Sequence, residues 1–272
     1  MKKIEAVIFD WAGTTVDFGC FAPVNVFIDI FKDAGIEVTM AEAREPMGML
    51  KIDHIRAMLS MPRIACLWEE QNGKPFTETD VERLYSKFEP ALLQSLAHFT
   101  DPIAGVVETV KELRAYGLKI GSTTGYTSTM MDIVVPLAKE KGYTPDCYFT
   151  ADDTDSYGRP YPFMIFKNLQ ALKVSSVKNV VKVGDTISDM KEGAQAGVWT
   201  VGVIVGSSEM GLSANEFNKL SEEEQRKEMA RTKEAFISAG ADFTIETMTE
   251  LPSLIETINL QVSGKEREAI EK

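Results

Sequence analysis

The sequence predicts an α/β fold, a doubly wound and mainly parallel sheet that carries a helical insert. Three observations point there. Short apolar runs rich in β-branched residues recur along the chain, helical patterns separate most of them, and the stretch from about residue 20 to 98 shows helix patterns with no convincing strand. The first run, IEAVIFD (4–10), ends in an acid and is followed by the Gly-Thr-Thr of WAGTTVD, so it reads as a buried strand delivering Asp10 to a loop. The remaining strands are LKIGSTT (118–124), CYFT (147–150), NVVKVGD (179–185), TVGVIV (200–205) and FTIE (243–246). Between the insert and the first of these later runs lies GVVETVKELRAYG (105–117), where Val106, Val107, Val110 and Leu113 repeat at helical spacing and Gly117 supplies a stop.

Within the insert, Thr39 caps a helix that runs through Arg44 and stops before Pro46, and a second helix spans about Met49 to Leu59. Further helices cover 62–71 and 79–96, the latter with Val81, Leu84, Tyr85, Phe88, Leu92 and Leu96 on one face. Nearer the C-terminus, Ser213 with Glu216 and Ser221 with Glu224 have the spacing of capping boxes, which places two surface helices before Gly240. The expected organisation is a core of residues 1–20 and 99–260, a helical cap insert of 21–98, and a polar tail of 261–272.

Composition narrows the class of protein. Lys and Arg number 29 against 41 Asp and Glu, a net charge of −12, and such a surface repels nucleic acid and anionic membranes. No apolar run approaches the roughly 18 to 20 residues of a spanning helix, and the apolar stretch of MKKIEAVIFD breaks at Asp10, too early for a secretory signal. The three cysteines, Cys20, Cys66 and Cys147, are odd in number and form no CxxC, which argues against a disulfide framework and a zinc site and fits a reducing cytoplasm.

In open α/β sheets ligands bind beyond the carboxyl ends of the strands. Asp10, Thr124, Asp185 and Asp189 are expected to arrive there together. Converging carboxylates repel one another, and an oxygen-seeking divalent cation such as Mg²⁺ resolves that repulsion. Thr124 and Gly125 offer a hydroxyl and backbone N–H groups to a phosphoryl oxygen.

DWAGTT, the strand ending in Thr124 and GDTISD together resemble the motifs of the haloacid dehalogenase superfamily. The resemblance implies a Rossmann-like core in which Asp10 attacks phosphorus to give an aspartyl-phosphate. It implies Mg²⁺ held by Asp10, the main-chain carbonyl of Ala12 and Asp185, with Asp189 supporting the metal or its waters. One departure matters: phosphatases of the superfamily usually carry a second aspartate two residues after the nucleophile, to protonate the leaving alkoxide, and here that position is Ala12.

A lysine can replace that acid when the substrate bears an aldehyde one carbon from the C–P bond, because an iminium takes up the electrons released on cleavage as a neutral enamine. IEAVIFDWAGTTVDFGCFAP, EPMGMLKIDHIRAM, IGSTTGYT, GRPYP and KVGDTISDMKEG, spread over about residues 4 to 197, resemble the branch of the superfamily that works this way. The resemblance implies Lys51 as the Schiff-base lysine, a small phosphonate as substrate, acetaldehyde and phosphate as products, a place in 2-aminoethylphosphonate degradation, and a homodimer joined through the inserts. Helical spacing sets Lys51 and His54 on one face, so His54 is either a structural histidine or a proton carrier for the imine. Arg159 is expected to pair with the phosphoryl oxygens or the nucleophile in a loop stiffened by Pro160 and Pro162. Cys20 and Met47 resemble positions at the cap–core junction, and Tyr126 either closes over the substrate or packs. Lys182 is a weaker candidate because it lies inside a strand, and the GSSEMG loop (206–211) receives no role. A phosphomonoesterase of the same superfamily and a non-catalytic phosphate-binding protein are the alternatives; Ala12 and the GMLKIDH segment count against the first, and the second leaves Lys51 without a task.

Overall fold

All six apolar runs become strands, and the computed structural model describes them within residues 4–270, with side chains through residue 261. They are β1 (Ala6–Phe9), β2 (Lys119–Thr123), β3 (Cys147–Phe149), β4 (Val180–Gly184), β5 (Trp199–Val203) and β6 (Phe243–Ile245). The sheet runs β3-β2-β1-β4-β5-β6, with every pairing parallel. Each residue of β1 is buried, as expected of a strand covered on both faces. Strand order reverses at β1, and the register sets Phe9 opposite both Ser122 and Val183. Asp10 therefore leaves the sheet beside the ends of β2 and β4, at the switch point where a ligand crevice forms.

Between β1 and β2 the chain builds α1 (Phe21–Asp33), α2 (Met40–Arg44), α3 (Lys51–Ser60), α4 (Pro62–Asn72) and α5 (Glu78–Ser95). The core adds α6 (Val106–Ala115), α7 (Ser128–Glu140), α8 (Phe163–Ala171), α9 (Ile187–Ala196), α10 (Ala214–Lys219), α11 (Glu222–Ser238) and α12 (Leu251–Ile270). The last of these runs helically into the stretch expected to be a frayed polar tail; its side chains from 262 on, and residues 271 and 272, lie outside the described residues. No helix among the described residues is long and apolar enough to cross a membrane, and the three cysteines are unpaired.

Local chemistry explains most boundaries. Thr39, Ser213 and Ser221 each accept the amide of Glu42, Glu216 and Glu224, and each glutamate returns a bond to the cap residue's backbone. On α5, Val81, Leu84, Phe88 and Leu92 are buried on the predicted face, and Phe88 stacks on Phe27 of α1 at 4.3 Å between centroids. Burial of side chains of this size stabilises by roughly 1.5–3 kcal/mol each. The helix α3 starts at Lys51, two residues later than the spacing suggests, because Gly48 takes φ +88° and breaks the helical path just before it. That delay makes Lys51 the first residue of the helix.

The helix patterns expected from about residue 20 onward give no start for α1, and its cap shows why. Cys20, in the N-cap position, has φ 52° and caps nothing with its side chain. The cap comes from Asp17, whose two carboxylate oxygens accept the Phe21 and Ala22 amides at 3.0 Å. Burial pushes the Asp17 carboxyl up to about 6, against the pull of those amides and of Arg44. A folded value above the unfolded one means the native state takes the proton first, so this group adds stability as pH falls through 6 and loses it as pH rises. Subtracting the melting temperature of Asp17→Asn from that of the unaltered protein should give a difference that grows more positive between about pH 7.5 and pH 5. A pH-independent difference in thermal melts would contradict this account.

Candidate active site

The turn after β1 is closed by Trp11, whose carbonyl accepts the amides of Thr14, Thr15 and Val16, and this presents the Asp10 side chain at the sheet's carboxyl edge. Asp185 leaves the end of β4. One of its oxygens accepts the Thr14 hydroxyl at 2.7 Å and the other the Ser208 amide at 2.8 Å. Asp189 lies in the first turn of α9, where it completes a capping box with Thr186. Carboxylate oxygens of Asp10, Asp185 and Asp189 all fall within 4.8 Å of one another, and all three residues are buried.

Two buried cations thread this cluster. Arg159 donates to Asp10 at 2.8 Å and to Glu192 at 3.0 Å, and lies 3.1 Å from Asp189. Lys182 reaches Asp189 at 2.9 Å and Glu192 at 3.2 Å. Both cations donate to the Thr123 hydroxyl, and that hydroxyl in turn donates to Glu192 at 2.9 Å. Burial alone would raise Asp189, yet Arg159 and Lys182 hold it down at about 2. Asp10 and Asp185 move the other way, raised first by burial, with neighbouring carboxylates adding to the shift. Arg159 and Lys182 balance two of the four buried acids. The residual charge of two, focused on Asp10 and Asp185, fits a single divalent cation. Asp189, with its oxygens already engaged by Thr186, Arg159 and Lys182, fits a supporting role better than direct ligation.

The insert closes over this edge. Asp10, Ala12, Cys20, Met47, Lys51, Thr124, Gly125, Tyr126 and Arg159 line one cavity, joined by Gly48 and Thr186, and with the insert seated its free volume is only about 10 Å³. Lys51 is only 2% exposed, with its ammonium nitrogen 5.1 Å from the centre of the Tyr126 ring. Burial lowers its pKa, and the Arg159 charge adds to this, while Cys20, Asp10 and Asp185 oppose it. Burial also pushes the Cys20 thiol and the Tyr126 phenol well up, so both are neutral in the cavity wall. Thr124 accepts the Tyr126 amide at 3.1 Å, which leaves its own hydroxyl proton to donate.

Nine of the predicted residues thus share the cavity, and Asp185 and Asp189 adjoin Asp10. Of its two expected partners, the phosphoryl oxygens and the nucleophile candidate, Arg159 pairs with the latter here. His54 is not in the lining. Its ring stacks on Phe27 at 3.8 Å, Nε2 lies 2.9 Å from the Ala43 carbonyl, and burial holds it neutral, well below the usual histidine value. With Nε2 donating to that carbonyl, Nδ1 is a buried acceptor with no hydrogen-bond partner. Trp11 packs edge-on against Tyr143 and Tyr148. Lys182, the weaker candidate, proves to be a full member of the charge network. Thr123, Glu192 and Ser208 escaped the sequence reading. Glu192 had a usable signal, three residues after Asp189 on one helix face, whereas Ser208 acts through its backbone and left none.

A family model for haloacid dehalogenase-like hydrolases matches residues 4–197, and the chain belongs to that family. Within it, the chain is 58% identical to a phosphonoacetaldehyde hydrolase of Lysinibacillus sphaericus, over 97% of its own length and 98% of that protein. It is 57% identical, over 93% of its length, to a bifunctional phosphonoacetaldehyde hydrolase/aminoethylphosphonate transaminase of Clostridioides difficile, of which it spans 40%. The crystal structure of a phosphonoacetaldehyde hydrolase-like protein from Oleispira antarctica has a TM-score of 0.91 at 42% identity, covering 95% of this chain and 93% of that one.

Closure depends on a bare backbone at Gly125. A Cβ there would lie 2.5 Å from the Met49 carbonyl oxygen and 2.7 Å from that of Gly48, both main-chain atoms of the insert. Gly125→Ala should leave the fold intact but hold the insert off its seat, lowering kcat/KM on the order of 100-fold. Steady-state kinetics alongside circular dichroism checks this, and near-normal turnover would mean the observed seating is not needed for reaction.

Proposed function

We propose that this chain hydrolyses the carbon–phosphorus bond of phosphonoacetaldehyde to acetaldehyde and phosphate, through a lysine Schiff base and an aspartyl-phosphate. One observation carries the reading: Lys51 of the insert and Asp10 of the core line the same closed cavity, while Ala12 stands where an acid for the leaving group would be. The full-length likeness to proteins named for this reaction supports the same substrate, and the bifunctional relative supports a place in 2-aminoethylphosphonate degradation.

In this reading Lys51, its pKa lowered by burial, attacks the aldehyde as the free amine, and loss of water forms an imine. Thr124, the Gly125 amide and Arg159 orient the phosphonate so that Asp10 attacks phosphorus in line. The C–P electrons pass into the protonated imine and yield an enamine on Lys51, so no acid at position 12 is required. Protonation and hydrolysis of that enamine release acetaldehyde and restore Lys51, and water frees phosphate from Asp10. The proton transfer expected of His54 is not part of this reading, because its ring lies outside the cavity, stacked on Phe27 with Nε2 at the Ala43 carbonyl, where it positions α3. Tyr126, Cys20 and Met47 wall the aldehyde end and exclude water. Mg²⁺, held by Asp10, the Ala12 carbonyl and Asp185 with Asp189 behind them, would supply charge neutralisation at the phosphoryl oxygens.

We further place the protein in a reducing cytoplasm, as its three unpaired cysteines favour, with no nucleic acid or membrane as partner. A homodimer joined through the inserts belongs to the same reading and rests on the family resemblance; among the described residues Met40 is the one exposed large apolar side chain of the insert, while Tyr157, Tyr161, Phe163 and Phe166 are exposed on the core.

Incubation with phosphonoacetaldehyde and borohydride should leave a reduced adduct on Lys51 that Lys51→Ala cannot form. Trapping should follow the free-amine fraction, with a midpoint below the roughly 10.4 of an ordinary lysine. Hydrolysis that proceeds without any trapped adduct, or turnover of p-nitrophenyl phosphate in its place, would defeat the proposal. Asp10→Asn should abolish phosphate release while imine formation persists, and C–P cleavage by that variant would exclude Asp10 as the nucleophile.

A further inference from the structure

We infer that Arg44 is a positioning residue that latches the closed insert to the loop holding Asp185, so that seating Lys51 and fixing the metal-binding carboxylate become one event. The inference rests on the function proposed above and concerns a residue outside its cavity.

Arg44 ends α2, in the insert, and its guanidinium crosses to the core. Nη1 donates to the Gly19 carbonyl at 2.6 Å, in the segment that leads from the core into α1. The same nitrogen lies 3.4 Å from both the Ser208 carbonyl and its hydroxyl. The guanidinium covers the Phe21 ring at 4.7 Å from its centroid, and the arginine stem lies so close to Gly211 that a Cβ there would sit 3.2 Å from Cδ.

What Arg44 grips explains why it matters. Gly19 is tied to the same loop, its amide donating to the Gly206 carbonyl at 2.7 Å. Ser208, whose carbonyl faces Arg44, donates its own amide to Asp185 at 2.8 Å. One short loop therefore holds the connection to the insert, the arginine of the insert and the carboxylate of the core. When the insert swings away, Arg44 leaves with α2, and the loop loses the contact that steadies the Ser208 amide against Asp185. Coupling of this kind is reciprocal, so a filled metal site would in turn favour the seated insert.

The side chain is not optimised for its own stability. Nε and Nη2 are buried without hydrogen-bond partners, and a methionine of similar length would fill the space without stranding donors. A planar cation able to stack on Phe21 and meet two separate acceptors is what the latch requires, and lysine supplies only part of it.

Hydrogen–deuterium exchange of the full chain, with Mg²⁺ and inorganic phosphate present, tests the latch directly. In Arg44→Met, exchange of segments 17–22 and 206–211 should rise about tenfold, while β2 stays unchanged. The Mg²⁺ concentration for half-maximal phosphate release should rise by about the same factor, and Arg44→Lys should fall between the two. Should Arg44→Met fail to fold, Arg44→Lys carries the same comparison. Unchanged exchange at both segments, or an equal rise throughout the sheet, overturns the inference. The exchange comparison uses no phosphonoacetaldehyde, so it decides on Arg44 even if no adduct forms on Lys51 and the functional reading falls.

Discussion

Four carboxylates meet in a space from which water is largely excluded, and the rest of the site is organised around keeping them there. Asp10, Asp185, Asp189 and Glu192 are all buried, and only Arg159 and Lys182 lie among them as paired cations. Buried charge is tolerated only where hydrogen bonds are nearly complete. Thr123 joins both cations to Glu192, Thr186 engages Asp189, and Thr14 with the Ser208 amide engages Asp185. These groups come from β2, β4, α9 and the loops after β1, after β4, before α8 and after β5, so the parallel order of the sheet is what allows the network to assemble.

The insert adds a second requirement. A lysine is a nucleophile only when neutral, and the burial that lowers the pKa of Lys51 exists only while the insert is seated. Seating is a backbone matter: the Gly48 and Met49 carbonyls press against Gly125, and the Gly48 carbonyl faces Arg159 at 3.5 Å. The geometry that brings the amine to the phosphorus site is the same geometry that lowers its pKa, which joins the motion of the insert to the chemistry proposed for it.

Ala12 sharpens the functional contrast with the phosphatases of the superfamily. A methyl at that point leaves Asp10 as the one carboxylate lining the cavity among the described residues, and the cavity also presents the amine of Lys51. Leaving-group stabilisation by an attached nitrogen and by a protonating carboxyl are alternative solutions to one electronic problem. The residues at position 12 and position 51 are consistent with the first.

The sequence by itself determined the strands, their alternation with helices, the capping boxes at Thr39, Ser213 and Ser221, and the arrival of Asp10, Thr124 and Asp185 at one edge, because each follows from local periodicity or from the rule that strand ends gather in a parallel sheet. It also carried Lys51, through a motif that resembles a known branch of its family. It did not show where α1 starts, since the cap comes from Asp17 three residues upstream of Cys20, nor the late start of α3 forced by Gly48. Nor could it show that His54 turns from the cavity to the Ala43 carbonyl, that Lys182 joins Arg159 on shared acids, or that Ser208 and Arg44 meet at the support of Asp185. Those facts belong to tertiary structure for one reason: each depends on atoms far apart in the chain, often backbone atoms, whose approach is set by how the insert packs on the sheet and leaves no mark in the spacing of residues.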